Sequence, residues 1–138
     1  MFCYERRVQF YETDLMGIVH HSNYIRMIEE ARVAWAEFKG VLQPERPETA
    51  AAFAVLGTQV RHLKPLRFGD RVRIQVQARL QGARIYFQYK LWKQEDLVAE
   101  ATSEHATLDL KLMPQRPSNE IKAVLTEETW IETWLLNL

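Results

Sequence analysis

The sequence predicts an α+β domain, with one long amphipathic helix packed on a sheet of antiparallel strands. Three observations carry this. Tyr24, Met27, Ile28, Ala31, Trp35 and Phe38 recur at three- and four-residue steps, which is the apolar stripe of a helix. Residues 71–80 alternate, with Val72, Ile74, Val76, Ala78 and Leu80 against Arg71, Arg73, Gln75, Gln77 and Arg79, the period of a strand buried on one face. The helix comes early and the strands then follow with short turns between them, which suits a single helix laid on a meander.

The elements follow in order. Residues 4–10 alternate, with Tyr4, Arg6, Val8 and Phe10 on one face, and read as a first strand ended by Tyr11-Glu12-Thr13-Asp14. Ser22 or Asn23, both good caps, opens the helix, and Gly40 stands where a helix-ending glycine belongs. Residues 41–52 hold Pro44 and Pro47 among charges and read as a loop or broken helical turn. Residues 53–68 form a strand interrupted near Pro65, which suits an edge or a bulge. Phe68-Gly69-Asp70-Arg71 is a turn. After the 71–80 strand, Gly82-Ala83 turns the chain, Ile85, Phe87, Tyr89 and Leu91 line the next strand, and residues 93–96 turn again. Residues 98–113 are the last long strand, with Ala106, Leu108, Leu110 and Leu112 on one face and a bulge in the poorly alternating first half. Pro114 and Pro117 close the sheet. Ser118 caps a C-terminal helical segment over about residues 118–137, broken near Thr126, whose Trp130 and Trp134 pack on the sheet or on a neighbouring subunit.

The 138 residues make one domain, with a core over about residues 4–113, and can bury a core without staples. Eighteen basic and 18 acidic residues balance, so no global charge recruits nucleic acid or an anionic membrane. The single Cys3 excludes an internal disulfide framework and a Cys-based zinc site, and reads as a small buried or semi-buried filler. No basic leader with an apolar run opens the chain and no apolar stretch is long enough to span a bilayer, so the expectation is a cytoplasmic protein with no integral membrane segment.

The chemistry concentrates in YETDLMGIVHHSNY, residues 11–24. Asp14 precedes Gly17, the pair His20-His21, and Ser22 at the helix start. A carboxylate there lies beside free backbone N–H groups, which hold a developing oxyanion. On spacing alone Asp14 also reads as a plain turn or capping residue. Asn23 caps or orients the Asp14 loop, and Tyr24 packs on the sheet. Glu29 and Arg32 are one helical turn apart and suit a local ion pair. His62 and His105 lie in strands with no visible partner.

Thr13-Asp14-x-x-Gly17, Val19-His20-His21, Asn23-Tyr24, Glu29 and Ala31-Arg32, followed by Phe68-Gly69-Asp70 before an alternating strand, resemble the hotdog-fold acyl-CoA thioesterases of the 4-hydroxybenzoyl-CoA thioesterase and YbgC-like type. The resemblance spans about residues 4–113. It implies a curved sheet wrapped around the long helix, subunits joined edge to edge as a homodimer or a dimer of dimers (a homotetramer), and active sites at the dimer interface. It implies Asp14 as the catalytic carboxylate, with Gly17 and the backbone N–H near His21 polarising the thioester carbonyl. Substrate contacts then fall to His20, Asn23, Tyr24 and Glu29, and CoA is held by basic residues, with Arg84 at a matching position and Lys64 and Arg67 as further candidates. Met16, Met27 and His20 depart from the usual residues and alter the acyl site. The expected reaction is hydrolysis of an acyl-CoA to a carboxylic acid and free CoA, with no cofactor and no metal. An acyl carrier protein thioesterase is the enzymatic alternative, and a non-catalytic interaction module of a lipid-synthesis assembly is the other.

Overall fold

The computed structural model describes residues 1–138. Six strands, β1 (Phe2–Arg7), β2 (Ala54–His62), β3 (Arg71–Gln81), β4 (Arg84–Lys93), β5 (Asp96–Leu108) and β6 (Pro114–Gln115), form one antiparallel sheet. The order across it is β1-β3-β4-β5-β2, with β6 beside β5. Helix α1 (Ser22–Phe38) lies in the concave face, and α2 (Asn119–Glu127) packs near β3. Short 3-10 turns occupy Phe10–Glu12 and Pro47–Phe53.

The helix stripe and the inward residues of β3 and β4 make the core. Met27, Ile28, Ala31 and Trp35 are fully buried against Ile74, Ala78, Phe87, Tyr89 and Leu91. Trp35 meets Phe87 edge-on with centroids 5.1 Å apart. Aromatic pairs at that spacing and angle contribute about 1 kcal/mol beyond the area they bury. Phe38 leaves the stripe, 74% exposed. Gly40, at φ +76°, ends the helix as the sequence predicts, and Gly69, at φ +85°, makes the turn before β3.

Several expectations shift. The first strand ends at Arg7, and Phe10 turns outward into the 3-10 turn. Cys3 is exposed rather than a buried filler, because β1 points Phe2, Tyr4 and Arg6 inward. Strand β2 stops at His62, before Pro65, and is an edge strand as Pro65 implied. The last strand ends at Leu108. The alternation continues on paper, but Asp109 Oδ1 accepts the N–H groups of Lys111 and Met113, and Leu112 takes φ +62°. That turn sends β6 back along β5 and leaves Leu110 and Leu112 exposed. The inward residues of β5 are Ala99, Ala101, Ser103, His105 and Thr107, the opposite phase to the predicted one. The bulge falls in its first half as expected: Leu91 pairs Ala99 and Trp92 pairs Leu97, so Val98 is the extra residue.

Ser118 caps α2, its hydroxyl accepting from Ile121 N–H. The helix ends at Glu127 and does not resume; residues 128–138 are a strap across the outer face of the sheet. Glu100, fully buried on that face, accepts the backbone N–H groups of Leu136 and Asn137. Gln77 bonds both backbone groups of Ile131. Arg79 stacks over Trp130 at 4.3 Å and Lys90 over Trp134 at 5.3 Å. The tryptophans pack on their own sheet.

Candidate active site

The site is built on Glu12, which is 3% exposed. Its carboxylate accepts from Arg6 Nη2 (2.7 Å) and Gln9 N–H (2.8 Å). Its backbone carbonyl accepts His20 N–H and Asn23 Nδ2. One residue therefore ties β1, the 3-10 turn and the head of α1 together. From it the chain enters a tight hairpin. Asp14 N–H donates to Ile18 C=O, Gly17 N–H donates to Asp14 C=O, and Asp14 Oδ1 accepts Met16 N–H at 2.8 Å. Gly17 sits at φ +79°, where a side chain is strained, and its open side faces the Arg67 guanidinium.

Asp14 and His21 line one open groove of about 500 Å³ with Met16, Tyr24, His62 and Lys64. At its helical wall Ser22 N–H is held by His20 Nδ1, Asn23 N–H by His20 C=O and Tyr24 N–H by His21 C=O. His21 N–H has no acceptor within the protein. It is the open donor at the positive end of α1. Asp14 keeps one carboxylate oxygen without a protein partner, since only Oδ1 is engaged.

The predicted residues divide accordingly. Asp14, His21, Tyr24 and Lys64 share the groove. Lys64 is paired with Asp96 at 2.8 Å on the surface. Gly17 and Arg67 sit just behind, bridged through Ile18 and Arg67. His20 is exposed and turned onto Ser22, its ring 4.2 Å from that of His21. Asn23 is buried and faces Glu12, away from the groove. Met27 is fully buried core and does not line the groove. Glu29 lies two turns down the helix in a different cavity and makes no ion pair with Arg32, which turns inward to Tyr89. Arg84 starts β4 at the far end of the sheet, paired with Glu104, so one strand length of roughly 30 Å separates it from the Asp14 end. Within one chain Arg84 does not join this groove.

Two residues of the site carried no signal in the sequence. Glu12 looked like the end of a strand. His62 comes from the far end of β2 and sets its ring edge-on to Tyr24, with centroids 4.6 Å apart. Burial, then the nearby His21, pushes its pKa below the usual histidine value. Burial likewise raises Tyr24. Only the tertiary fold brings these groups together. No group of three or more His, Cys, Asp or Glu is placed to hold a metal ion.

A carboxylate with a free oxygen, lining one groove with the head of a helix held in a curved antiparallel sheet, fits the hotdog-fold hydrolases of thioesters. Residues 8–128 match the thioesterase-like superfamily, and the chain belongs to it. It is 34% identical to the 1,4-dihydroxy-2-naphthoyl-CoA hydrolase of Thermosynechococcus vestitus, over 78% of this chain and 75% of that protein. It is 26% identical to the acyl-CoA thioesterase YbgC of Haemophilus influenzae, over 88% and 92%. A crystal structure of a hypothetical protein from Aquifex aeolicus matches it with a TM-score of 0.77 at 34% identity, covering 91% of this chain and 99% of that one.

Proposed function

We propose that the chain hydrolyses an acyl-CoA thioester to a carboxylic acid and free CoA, with Asp14 as the reacting carboxylate. The observation that carries this reading is that Asp14 and His21, each with a group left without a protein partner, line one groove. Asp14 either takes a proton from water, so that hydroxide adds to the carbonyl carbon, or attacks that carbon itself. Either way the carbonyl oxygen gains negative charge and the C–S bond then breaks to release the CoA thiolate; after direct attack, water then cleaves the acyl–Asp14 anhydride to free the acid and restore the carboxylate. An N–H donor aimed at that oxygen is worth about 3–4 kcal/mol of barrier. A thioester needs little more help than this. Lys64 and Arg67, exposed beside the groove, suit the phosphates of CoA.

We infer that two copies also join along β2. Strand β2 is an edge, with Val55 and Leu56 about half exposed and one row of backbone groups unpaired. Joining two copies along β2 in antiparallel fashion brings Arg84 of one toward the groove of the other. Leu56→Lys should shift the sedimentation of the pair toward single chains and lower activity with it.

The decisive experiment is Asp14→Asn. The amide oxygen still accepts from Met16 N–H, so the hairpin stays. Turnover of an acyl-CoA should fall at least a hundredfold, with unchanged melting temperature and CoA affinity. Retained turnover would remove Asp14 from the chemistry.

A further inference from the structure

Arg32 is a cation in the core without an anion. It is only 7% exposed, on the inner side of α1, and forms no ion pair. Its one hydrogen bond is a long one, Nη1 to the Tyr89 hydroxyl at 3.3 Å. That hydroxyl is already engaged by Ser103 at 2.7 Å, and Ser103 by His105 Nε2 at 2.7 Å. A buried guanidinium is costly unless an acceptor faces it. The remaining donors of Arg32 are not among the fully enclosed unpaired atoms of the protein. Arg32 lines a small cavity of about 110 Å³, walled by Val33, Leu42, Ala50 and Phe53, with Glu29 also lining it.

The cavity and the Asp14 groove lie along the same helix and beside the same strand, without a lining residue in common. Helix α1 runs from one to the other, with His21, Ile25, Ile28 and Arg32 on one line of its surface. Strand β2 does the same, since His62 at its end lines the groove and Phe53, just before its start, lines the cavity. Tyr24 and Arg32 are roughly 12 Å apart along the helix, a span that an acyl chain of about eight carbons covers. At about 110 Å³ the cavity is smaller than the roughly 150 Å³ space that takes a benzene ring, so it suits the end of a chain.

We propose that this cavity receives the far end of the acyl group, and that Arg32 selects acyl groups ending in an oxygen acceptor, a hydroxyl or a carboxylate. The inference rests on the acyl-CoA reading above. An apolar wall with one unpaired cation favours a hydrocarbon chain that carries oxygen at its tip. A plain alkyl end leaves the guanidinium unpaired and loses the discrimination that a buried, unsatisfied donor enforces.

The test compares kcat/KM for octanoyl-CoA, 8-hydroxyoctanoyl-CoA and the mono-CoA thioester of octanedioic acid. The wild-type protein should favour at least one oxygen-tipped substrate over octanoyl-CoA by about tenfold, and the preferred tip tells hydroxyl from carboxylate. Arg32→Met should erase the preference and Arg32→Lys should keep part of it. Tyr89→Phe, which frees the guanidinium from its only partner, should preserve or raise it. If Arg32→Met does not fold, Glu29→Gln still decides: removing the one acid that lines the cavity should raise the ratio for the carboxylate-tipped substrate severalfold. No preference in the wild type, or an equal loss on all three substrates in Arg32→Met, overturns the proposal and makes Arg32 structural. No turnover of any acyl-CoA would instead refute the acyl-CoA reading itself.

Discussion

The two faces of the sheet handle their polar groups in opposite ways. On the outer face the C-terminal strap supplies most of the partners: Glu100 takes two backbone N–H groups, Gln77 binds Ile131 twice, and Arg79 and Lys90 lie over tryptophans, with only Arg79 Nε and Trp130 Nε1 left unpaired there. On the inner face, along the flank of α1, partners are missing. One Asp14 oxygen, the His21 N–H and most of the Arg32 guanidinium are left open. The outer face commits its polar groups to holding the strap, and the inner face keeps several free to meet a ligand.

Substitutions should separate the two faces cleanly. The largest effect belongs to the inner face. Asp14→Asn should cost a hundredfold or more in turnover, about 3 kcal/mol of barrier, with no change in thermal stability. Glu100→Ala should do the reverse. It strands two backbone N–H groups and the neighbouring Lys90, and should cost about 2–3 kcal/mol of stability by denaturant titration while activity per folded molecule holds. Equal loss of activity and stability in either variant would dissolve the contrast.

A further effect is pH-dependent and comes from the inner face. His105 is buried, with its pKa lowered from 6.5 to about 4, first by burial and then by the charge of Arg32. The unfolded chain takes up this proton near 6.5, whereas the folded one resists until about 4. Stability is therefore intact above pH 6.5 and declines as pH falls toward 4, by up to about 3 kcal/mol. His105→Gln should flatten that acid limb in urea titrations between pH 7 and 4. An unchanged limb would mean that other groups carry it.

The sequence made the regular elements legible. The helix stripe and the alternation of β3 and β4 each face one core, so period and burial agree. It misled at β5. That strand is covered on both sides, by α1 within and by the strap without, so apolar residues occur in both phases. The run Leu108, Leu110, Leu112 then offered a cleaner alternation than the true inner face, and only the Asp109 turn rejects it. The candidate site was half legible for the same kind of reason. Asp14, Gly17 and His21 are close in sequence and announce a turn before a helix. Glu12, His62 and Arg32 are chosen by long-range contacts with Arg6, Tyr24 and Tyr89, which no local spacing reports.

The fastening at Glu12 has a consequence for how such an enzyme can diversify. The acid two residues onward hangs from a post anchored to β1 and to the first turn of the helix, and neither Glu12 nor Asn23 lines the groove. Side chains farther down the helix are therefore free to be exchanged, widening or narrowing the space for the acyl chain, without disturbing the perch from which the reaction is run. New appetites can be acquired at one end while the cutting edge at the other stays put.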